Sequence, residues 1–591
     1  MTSGDGLTQR IHPLLACVVE DYPEQVLTTC IPTGQCPTCA KPHNDLGEFD
    51  ANEVPELRDL SRILEALDSF DDDPRNYLKT CKEAGIKPVI DPFWKELPYE
   101  NVYRSITPDI LHQLYQGVLK HLVGWVKQSC GAVEVDARCR RLPPNHNIRH
   151  FMKGISSLSR VTGQEHDQIS RILLGLVIDC PLPGALSNVR LIRAVRALLD
   201  FIYLAQYPVH TDETLSLLDD ALENFHDNKN IFIDLGLRDS FNIPKLHSAK
   251  HYAMYIRLYG TLDNCNTEYT EQLHIDLAKD AYRATNHKDE FSQMTLWLER
   301  KEKIFRHHQY IIWRLEGSPD FENVDWTPPG LELDCCHSLS IHPTIRAVYL
   351  DNLELKYRAT HFKTALQRYI TLTNYPNMQR AELERRLDNV RIPFIRLPVW
   401  HRIKFLRKDP VTDKNSTADS IHCRPSQIQK RGILPGRFDT ALVNDGTGED
   451  TGVEGSGLLI ILASRPRLIY SLLGYHICRV RVVFSLPKNS LSVLFNPGIE
   501  AHEHLAYVQW FSPLSNPDPN HGLYKVSPKK NTDGSFVCSI IPVANIRRSV
   551  HLFPRFGQFA PKEWTSTNVL DSCNTFFVNS FTDRHLYRIL Y

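Results

Sequence analysis

The stretch TGQCPTCAKPH, residues 33–43, determines how the rest of the sequence is interpreted. Its spacing Cys36-x-x-Cys39 places two thiolates on one tight turn, where both can bind the same tetrahedral Zn²⁺. Two thiolates fill only half of a four-ligand site, so the other ligands must come from elsewhere. The local candidates are Cys30 and His43, while the segment KLHSAKHY, residues 245–252, supplies a remote pair.

The remote pair is His247 and His251. A separation of four residues places two side chains on one face of a helix, about one turn apart. Taken alone, such a pair is more typical of a surface or core position, and a Cys-x-x-Cys arises by chance in a chain with 15 cysteines. Together they predict one zinc site divided between two segments that are far apart in the sequence.

Acidic residues flank both halves of this predicted zinc site. Asp21 lies in EDYPEQ, fifteen residues before Cys36, after an apolar run at 14–19 that predicts a buried strand. Glu271 lies twenty residues after His251, with Glu268 one turn earlier on the same predicted helix face. Carboxylates brought together repel each other unless cations lie between them, as in two-metal phosphoryl transfer. The alternatives are a turn acid at position 21 and a solvated helix face at 268 and 271.

The composition is that of a folded multidomain protein. The chain has 591 residues, of which 42% are hydrophobic and 23% charged, and at roughly 150 residues per domain it divides into about three or four domains. Its net charge is -1, so nucleic acid must be bound through local basic patches. No apolar run approaches the ~20 residues of a membrane helix. We expect no membrane association, no secretory signal and reduced thiols.

Two groups of arginines are candidate DNA contacts. The segment NVRLIRAVRALLDFIYLAQY, residues 188–207, predicts a helix with an arginine stripe opposite its apolar face, and RCRRLPPNHNIRHF, residues 138–151, predicts a basic loop. Such clusters hold DNA phosphates, although a charged outer helix face is the more common explanation. The candidates are Arg138, Arg140, Arg141 and Arg149 in the loop, and Arg190, Arg193 and Arg196 in the stripe.

Longer strings resemble the Plavaka group of fungal transposases, which belongs with the CACTA-like and Kyakuja-Dileera-Zisupton elements. The similarity extends over most of the chain. It rests on PFWKELPYENVYRSITPDILHQLYQGVLKHL (92–122), RCRRLPPNHNIRHFMKGISSLSRVTGQEHDQ (138–168), RLYGTLDNCNTEYTEQLHIDLAKDAYRATNHKDEF (257–291), HGLYKVSP (521–528), HLFPRFGQFAPKEWTSTNVL (551–570) and FTDRHLYRILY (581–591).

The resemblance implies a DDE/D transposase, in which a ribonuclease-H-like catalytic fold is interrupted by a helical insertion. The similar V(D)J recombinase also frames its insertion with a Cys-x-x-Cys and a later histidine pair. By this resemblance Asp21 is the second catalytic Asp, Glu271 or Glu268 is the final acid, and Asp5 is a less favoured second Asp. Zinc would be structural, Mg²⁺ or Mn²⁺ would serve catalysis, and the partner would be double-stranded transposon-end DNA in the nucleus.

The resemblance and the sequence patterns together predict a multidomain α+β protein. A partial ribonuclease-H-like core is interrupted by helices and is followed by a β-rich C-terminal domain. The expected segments are 1–45 with the zinc knuckle, 46–245 as the helical insertion, 246–310 with the histidine pair and acidic helix, 311–407 as a helical connection, 408–456 as a linker, and 457–591 as the β-rich domain.

Similar family members continue upstream through the first catalytic Asp, and this sequence starts after that point. We therefore expect the C-terminal portion of a truncated transposase that is inactive by itself. The alternative is a noncatalytic, zinc-stabilised remnant that binds DNA or protein, in the nucleus or the cytoplasm. The resemblance is also compatible with a homo-oligomer, and enzymatic activity is expected only where the catalytic centre is complete.

Overall fold

The computed structural model describes residues 7–8, 10–12, 14–51, 53–315, 317–318, 335–408, 415–429, 432–444 and 474–591. They form a mixed α+β protein with two compact units, in agreement with the predicted multidomain architecture. The first unit comprises Met1–His121, Leu204–Glu223 and Arg238–Gly330, and the second comprises Leu122–Tyr203, Asn224–Leu237 and Leu331–Tyr591.

The described part of the first unit is mainly helical. Helices Lys120–Cys130, Val189–Leu204 and Asp212–Asn228 contain residues of both units. The other helices of the first unit span Tyr22–Thr28, Leu60–Asp72, Tyr77–Glu83, Val102–Ser105, Ile110–Leu119, Pro244–His247, Tyr252–Tyr259, Thr267–His274, Ile275–Lys279, Asp280–Arg283 and Glu290–Leu315.

Aspartates begin several of these helices. Asp21 accepts a hydrogen bond from the Glu24 amide at the start of Tyr22–Thr28, where a proline also occupies the first turn. Asp59 caps Leu60–Asp72 and Asp109 caps Ile110–Leu119 in the same manner. A carboxylate at this position satisfies amides that have no partner within the helix and interacts favourably with the positive end of the helix dipole.

The apolar run at 14–19 differs from the buried strand predicted there. Leu14 is 62% exposed and Leu15 37% exposed, and the run makes a single parallel bridge between Val18 and Ile106. The Val18 amide donates to the Ser105 carbonyl, and the Val18 carbonyl accepts from the Thr107 amide. Because the run pairs at this one position, it forms a parallel bridge and not a strand of a sheet.

A small apolar core holds the segment that follows Asp21. Trp94 lies in this core, and its indole donates to the Thr28 carbonyl. Tyr103 is fully buried and donates its hydroxyl to the Thr29 carbonyl. These bonds fix the end of the first helix against the segment that leads to Ile110–Leu119. The buried members are Cys30, Ile31, Ile63, Leu67, Tyr77, Cys81, Ile86, Trp94, Val102 and Tyr103.

The second unit contains the named strands of the described chain, and most of them follow residue 395. The β-rich C-terminal region predicted from the sequence is confirmed. The strands span Cys335–Ser338, Ile345–Tyr349, Arg396–Trp400, Arg402–Lys408, Asn415–Arg424, Gln427–Gln429, Gly432–Leu434, Arg437–Phe438, Thr440–Asn444, Tyr475–Phe484, Leu505–Trp510, Lys525–Val526, Cys538–Pro542, Ile546–Val550, Leu552–Pro554 and Phe576–Val578.

Strand Tyr475–Phe484 is at the centre of the largest sheet. It pairs antiparallel with Leu505–Trp510, Arg396–Trp400 and Thr440–Asn444. Cys538–Pro542 extends the sheet from Leu505–Trp510, while the other outer members are Ile345–Tyr349 and Ile546–Val550. The strand is buried along nearly its whole length, as expected for a central strand covered on both faces.

Two segments of this unit differ from the prediction. The helical connection expected at 311–407 contains strands as well as helices, because its alternating apolar residues pair into the sheets described above. The linker expected at 408–456 contains strands Asn415–Arg424 and Thr440–Asn444. Residues 409–414, 430–431 and 445–456 of that range lie outside the described residues.

Helices also contribute to the second unit. The basic loop predicted at 138–151 begins within helix Ala132–Arg141 and becomes irregular only after it. In the described chain, no helix combines the length and apolar character needed to cross a membrane. The remaining helices span Ala132–Arg141, Gly163–Val177, Ile231–Asp234, Leu350–Tyr357, Phe362–Asn374, Arg380–Arg386, Leu491–Leu494, Val569–Ser572 and Arg584–Leu590.

Two arginines of the central strand are buried with one carboxylate. Arg479 donates to Asp571 at 2.6 Å and Arg481 at 2.9 Å, and the more exposed Arg358 also contacts Asp571 at 2.9 Å. Burial lowers the pKa of Arg481 to about 9, and the neighbouring Arg479 charge acts in the same direction. Asp571 is therefore the counter-ion on which two desolvated guanidinium groups depend.

We expect Asp571→Ala to lower the free energy of unfolding of the second unit by about 3–5 kcal/mol, because it leaves buried positive charge without a partner. Asp351→Ala is the matched control, since Asp351 is 82% exposed in its pair with Lys363 and should cost less than ~1 kcal/mol. Urea unfolding of both variants measures the difference. Equal losses would contradict the assigned role of Asp571.

Candidate metal centre and carboxylate site

The four residues of the predicted zinc site lie together. Their ligand atoms are all within 4.8 Å of one another, and all four residues are buried. Cys36 Sγ lies 3.4 Å from His251 Nε2, and Cys39 Sγ lies 3.1 Å from His247 Nε2. Around a tetrahedral Zn²⁺ with bonds of ~2.0–2.3 Å, ligand atoms are roughly 3.3–3.8 Å apart. Donor types and spacing therefore fit zinc.

The structure excludes the local alternatives from this cluster. His43 directs Nδ1 to the Gly34 carbonyl at 2.6 Å, and Cys30 is buried in the apolar core beside the first helix. Gly34 has φ +93, a left-handed conformation that favours glycine. The turn at Gly34 lies two residues before Cys36 and places Cys36 and Cys39 on one knuckle. The contact between His43 and the Gly34 carbonyl closes this turn.

Hydrogen bonds around the knuckle fix its backbone. The Arg58 guanidinium donates to the Cys36 carbonyl from Nε at 3.0 Å and from Nη2 at 2.9 Å. Cys39 pairs antiparallel with Leu57. The Thr38 hydroxyl lies 3.0 Å from the Tyr255 hydroxyl on the helix that follows the histidine pair. These contacts hold the cysteine segment against the histidine segment independently of a metal ion.

The surroundings of the four residues act differently on their protonation. Hydrogen bonding from Cys36, together with that from the two histidines, lowers the pKa of the Cys39 thiol, whereas burial raises the pKa of Cys36. Burial also lowers the pKa of His251 and so favours its neutral form. Thiolate sulfur and neutral imidazole are the forms that bind Zn²⁺. The side-chain Nδ1 atom of His251 is buried and has no hydrogen-bond partner.

An ion-pair bridge next to the ligands joins the same two segments. Glu53 contacts Lys250 at 2.7 Å and Lys41 at 2.9 Å. Lys250 and Lys41 lower the pKa of Glu53 to about 2. Because Lys250 immediately precedes His251 and Lys41 follows Cys39, the bridge reinforces the alignment of both halves of the metal site.

A second group of polar side chains lies at the parallel bridge. Asp21 follows the extended residues around Val18, and Asp109 follows those around Ile106. Carboxyl ends of neighbouring parallel strands lie at the same edge, so both acids are at one end of this pairing. The hydrogen bond with Asp109 is the main cause that raises the pKa of His112, and burial lowers the pKa of Lys245; the charge of Asp21 makes a smaller contribution in the raising direction at both residues.

Glu271 is held at the same place by His112. The His112 Nε2 atom lies 3.0 Å from the Glu271 carboxylate, and His112 Nδ1 lies 2.9 Å from Asp109. The hydrogen bond with Asp109 is the largest cause that raises the pKa of His112, with smaller contributions from the charges of Asp109, Glu271 and Asp21. Glu271 is 56% exposed, so its carboxylate is accessible to an ion or a substrate.

Lys245 links this group to the zinc-site segment. Its Nζ donates to the His112 carbonyl at 2.9 Å. At Gly117 a Cβ atom would lie 2.7 Å from the Lys245 side chain and 2.7 Å from the His112 carbonyl, which is too close for a side chain. Glycine at this position therefore allows Lys245 to approach His112. Burial lowers the pKa of Lys245. Since Lys245 is two residues before His247, the histidine pair and His112 are tied together.

The other acidic candidates lie elsewhere. Glu268 is exposed at the start of the same helix as Glu271, and its carboxylate contacts the Asn266 side chain at 3.4 Å. Asp5 lies outside the described residues. The residues that the sequence interpretation missed are Asp109 and His112, whose separation of three residues at the start of a helix was the available signal.

The arginine candidates divide into buried and accessible groups within the second unit. Arg138 is fully buried and donates to the carbonyls of Leu176, Ile178, Gly557 and Gln558, and Arg196 is buried beside Asp200. Such side chains are engaged inside the unit and are not positioned to contact DNA. The half-buried or exposed candidates are Arg140, Arg141, Arg149, Arg190 and Arg193.

Comparison with known families identifies one part of the chain. Residues 1–126 match the family described as Plavaka transposase. The family resemblance inferred from the sequence is confirmed over this segment, which includes Asp21, Cys36, Cys39, Asp109 and His112. The histidine pair and Glu271 follow later in the chain. No curated protein matched the sequence.

We expect the purified protein to contain one zinc ion per chain and to lose it in Cys39→Ser, because three ligands bind Zn²⁺ far more weakly than four. Cys17→Ser is the control, since Cys17 lies outside the cluster. Elemental analysis together with the thermal midpoint, with and without a chelator, measures the effect. Retention of zinc by Cys39→Ser would contradict this ligand set.

Proposed function

We propose that this chain, whose residues 1–126 match the Plavaka transposase family, is part of a DDE/D-type transposase that cuts and joins DNA strands at transposon ends. Asp21 is proposed as the second catalytic Asp and Glu271 as the final acid. The observation that carries the proposal is the 3.0 Å contact of Glu271 with His112, which also contacts Asp109, beside the parallel bridge that Asp21 and Asp109 both follow.

The local architecture supports a partial ribonuclease-H-like core. Two extended segments pair in parallel at Val18 and Ile106, and each is followed by an aspartate that begins a helix. This order of extended segment, acid and helix places polar side chains at the carboxyl ends of parallel strands, where such folds build their sites. The helical segments between the cysteine knuckle and the histidine pair correspond to the proposed insertion.

A divalent ion would be held by Asp21 and Glu271. Mg²⁺ and Mn²⁺ prefer carboxylate oxygens, and Glu271 is accessible while Asp21 is half-buried. When bound, such ions activate a water or 3′-hydroxyl and stabilise the leaving oxygen of the phosphodiester. Asp109 has a different role, because its carboxylate is buried and already accepts bonds from Leu111, His112 and Thr267.

Glu271 is preferred to Glu268 as the final acid because of their surroundings. Glu271 reaches His112 at the edge occupied by Asp21 and Asp109, whereas Glu268 contacts Asn266. Two carboxylates are assigned here, and strand transfer by DDE/D chemistry uses three. Asp21 and Glu271 are therefore proposed as part of a catalytic centre, with catalysis by this chain alone expected to be weak or absent.

Binding of Mn²⁺ tests the carboxylate assignment. We expect Asp21→Asn and Glu271→Gln each to weaken Mn²⁺ binding by at least about tenfold, because each removes a charged ligand. Glu268→Gln is the matched control on the same helix and should bind Mn²⁺ as the unaltered protein does. Titration followed by the electron paramagnetic resonance signal of free Mn²⁺ provides the dissociation constants, with zinc content measured in parallel.

Unchanged Mn²⁺ binding in both Asp21→Asn and Glu271→Gln would exclude the proposed centre. If the same proteins still bound double-stranded DNA, the zinc-stabilised DNA-binding remnant would be the better function. If Glu268→Gln weakened binding instead, Glu268 would replace Glu271 as the final acid.

DNA binding is proposed to use the accessible arginines Arg140, Arg190 and Arg193. Arg190 is 42% exposed, and Arg193 is exposed with one hydrogen bond to Asn520. Exposed guanidinium groups on one helix can position a phosphate backbone without reading its sequence. The net charge of -1 makes such local groups necessary for any DNA affinity.

We expect Arg190→Ala with Arg193→Ala to reduce affinity for double-stranded DNA to a similar extent for all sequences, and to lower the slope of log affinity against log salt by about 2. Arg391→Ala, at an exposed site on another segment, is the control. Fluorescence anisotropy over a range of salt concentrations measures both quantities. An unchanged salt slope would place the DNA contacts elsewhere.

A further inference from the structure

The Asp109 carboxylate joins the starts of two helices. Its oxygens accept hydrogen bonds from the amides of Leu111 and His112 at the beginning of Ile110–Leu119. They also accept from the Thr267 amide at 3.1 Å and from the Thr267 hydroxyl at 2.8 Å, at the beginning of Thr267–His274. A buried carboxylate is stabilised by such donors and by the positive ends of both helices. The helix that bears Glu271 is therefore anchored at its first residue.

His112 extends this anchor from the helix to the Glu271 side chain. Its Nδ1 atom lies 2.9 Å from Asp109 and 2.9 Å from the Thr267 hydroxyl, so one edge of the ring is fixed. The opposite edge directs Nε2 to the Glu271 carboxylate at 3.0 Å. A ring fixed on one side presents its second nitrogen in a defined direction.

The polar network behind Asp109 limits movement of this arrangement. The Tyr252 hydroxyl contacts both the Asp109 carbonyl and the Gln113 side chain, and Tyr252 and Gln113 are buried. Gln113 in turn contacts Gln25, which is buried in the helix that begins after Asp21. The support of the imidazole is thus rigid, while Glu271 itself is 56% exposed and on an accessible helix face.

We propose that Asp109 and His112 act as positioning residues that hold the Glu271 carboxylate in place for cation binding. The proposal rests on the proposed function, and it assigns to His112 a role that acts through Glu271. An exposed glutamate with free rotamers would have to be ordered when a cation binds, which costs affinity. The contact with His112 orders the Glu271 side chain before a cation binds, so this loss of affinity is smaller.

Two substitutions of His112 test the contact at Nδ1 and the contact at Nε2 separately. In His112→Asn the side-chain amide takes the place of Nδ1, so it can bond to Asp109 but is too short to reach Glu271. In His112→Gln the amide nitrogen takes the place of Nε2, so it can reach Glu271. Both variants are neutral and polar, and the comparison therefore isolates the contact with Glu271 from the presence of the ring.

We expect His112→Asn to weaken Mn²⁺ binding about tenfold, the scale of losses when supporting partners of metal ligands are removed. His112→Gln should restore binding to within about threefold of the unaltered protein, on the same reasoning. Zinc content and the thermal midpoint serve as controls for folding. Equal Mn²⁺ affinity in the two variants, while Glu271→Gln still weakens binding, would overturn the positioning role but leave the proposed function intact.

A measurement without added Mn²⁺ keeps the inference testable if the carboxylates bind no cation. In crystal structures of the two variants, the Glu271 carboxylate is expected within hydrogen-bond distance of the introduced amide in His112→Gln, and turned away from position 112 in His112→Asn. An identical position of Glu271 in both would overturn the positioning role. Unchanged Mn²⁺ binding in both Glu271→Gln and Asp21→Asn would instead refute the proposed function.

Discussion

The contact between the cysteine knuckle and the histidine pair is the constraint on which the first unit depends. Cys39 and His247 are 208 positions apart in the sequence, and closing a loop of that length costs roughly 5 kcal/mol of chain entropy. Structural zinc contributes about 10–16 kcal/mol of binding free energy, which exceeds that cost. The Glu53 bridge and the Arg58 bonds add smaller contributions around the ligands. A zinc ion bound by the four residues would therefore make the closure more favourable, in addition to the contacts that join the two segments without it.

The carboxylate group depends on the same closure. Lys245, two residues before His247, donates to the His112 carbonyl, and Asp109 holds the start of the helix that carries Glu271. Asp21 reaches this place independently, at the end of the segment that pairs with Ile106. The Glu271 carboxylate is therefore exposed while its support is buried, an arrangement that suits the proposed binding of a cation.

The sequence predicted that Cys36, Cys39, His247 and His251 lie together, because Cys-x-x-Cys and His-x-x-x-His are spacings typical of metal ligands. It also predicted the β-rich C-terminal region from short apolar runs. It did not distinguish Glu271 from Glu268, because both lie on one helix and only the contact with His112 separates them. Asp109 was missed since its partner Thr267 is 158 positions away. Arg138 and Arg196 can be buried because backbone carbonyls, and Asp200 in the case of Arg196, accept hydrogen bonds from their guanidinium groups. The periodic pattern of apolar residues in a helix does not reveal these partners.

The central claim is that two thiolates and two imidazoles bind one zinc ion and so close the first unit. X-ray absorption at the zinc edge of the purified protein tests it most directly. The expected result is one zinc with two sulfur neighbours at ~2.3 Å and two nitrogen neighbours at ~2.0 Å. A shell made only of oxygen and nitrogen, or one with four sulfurs, would contradict it.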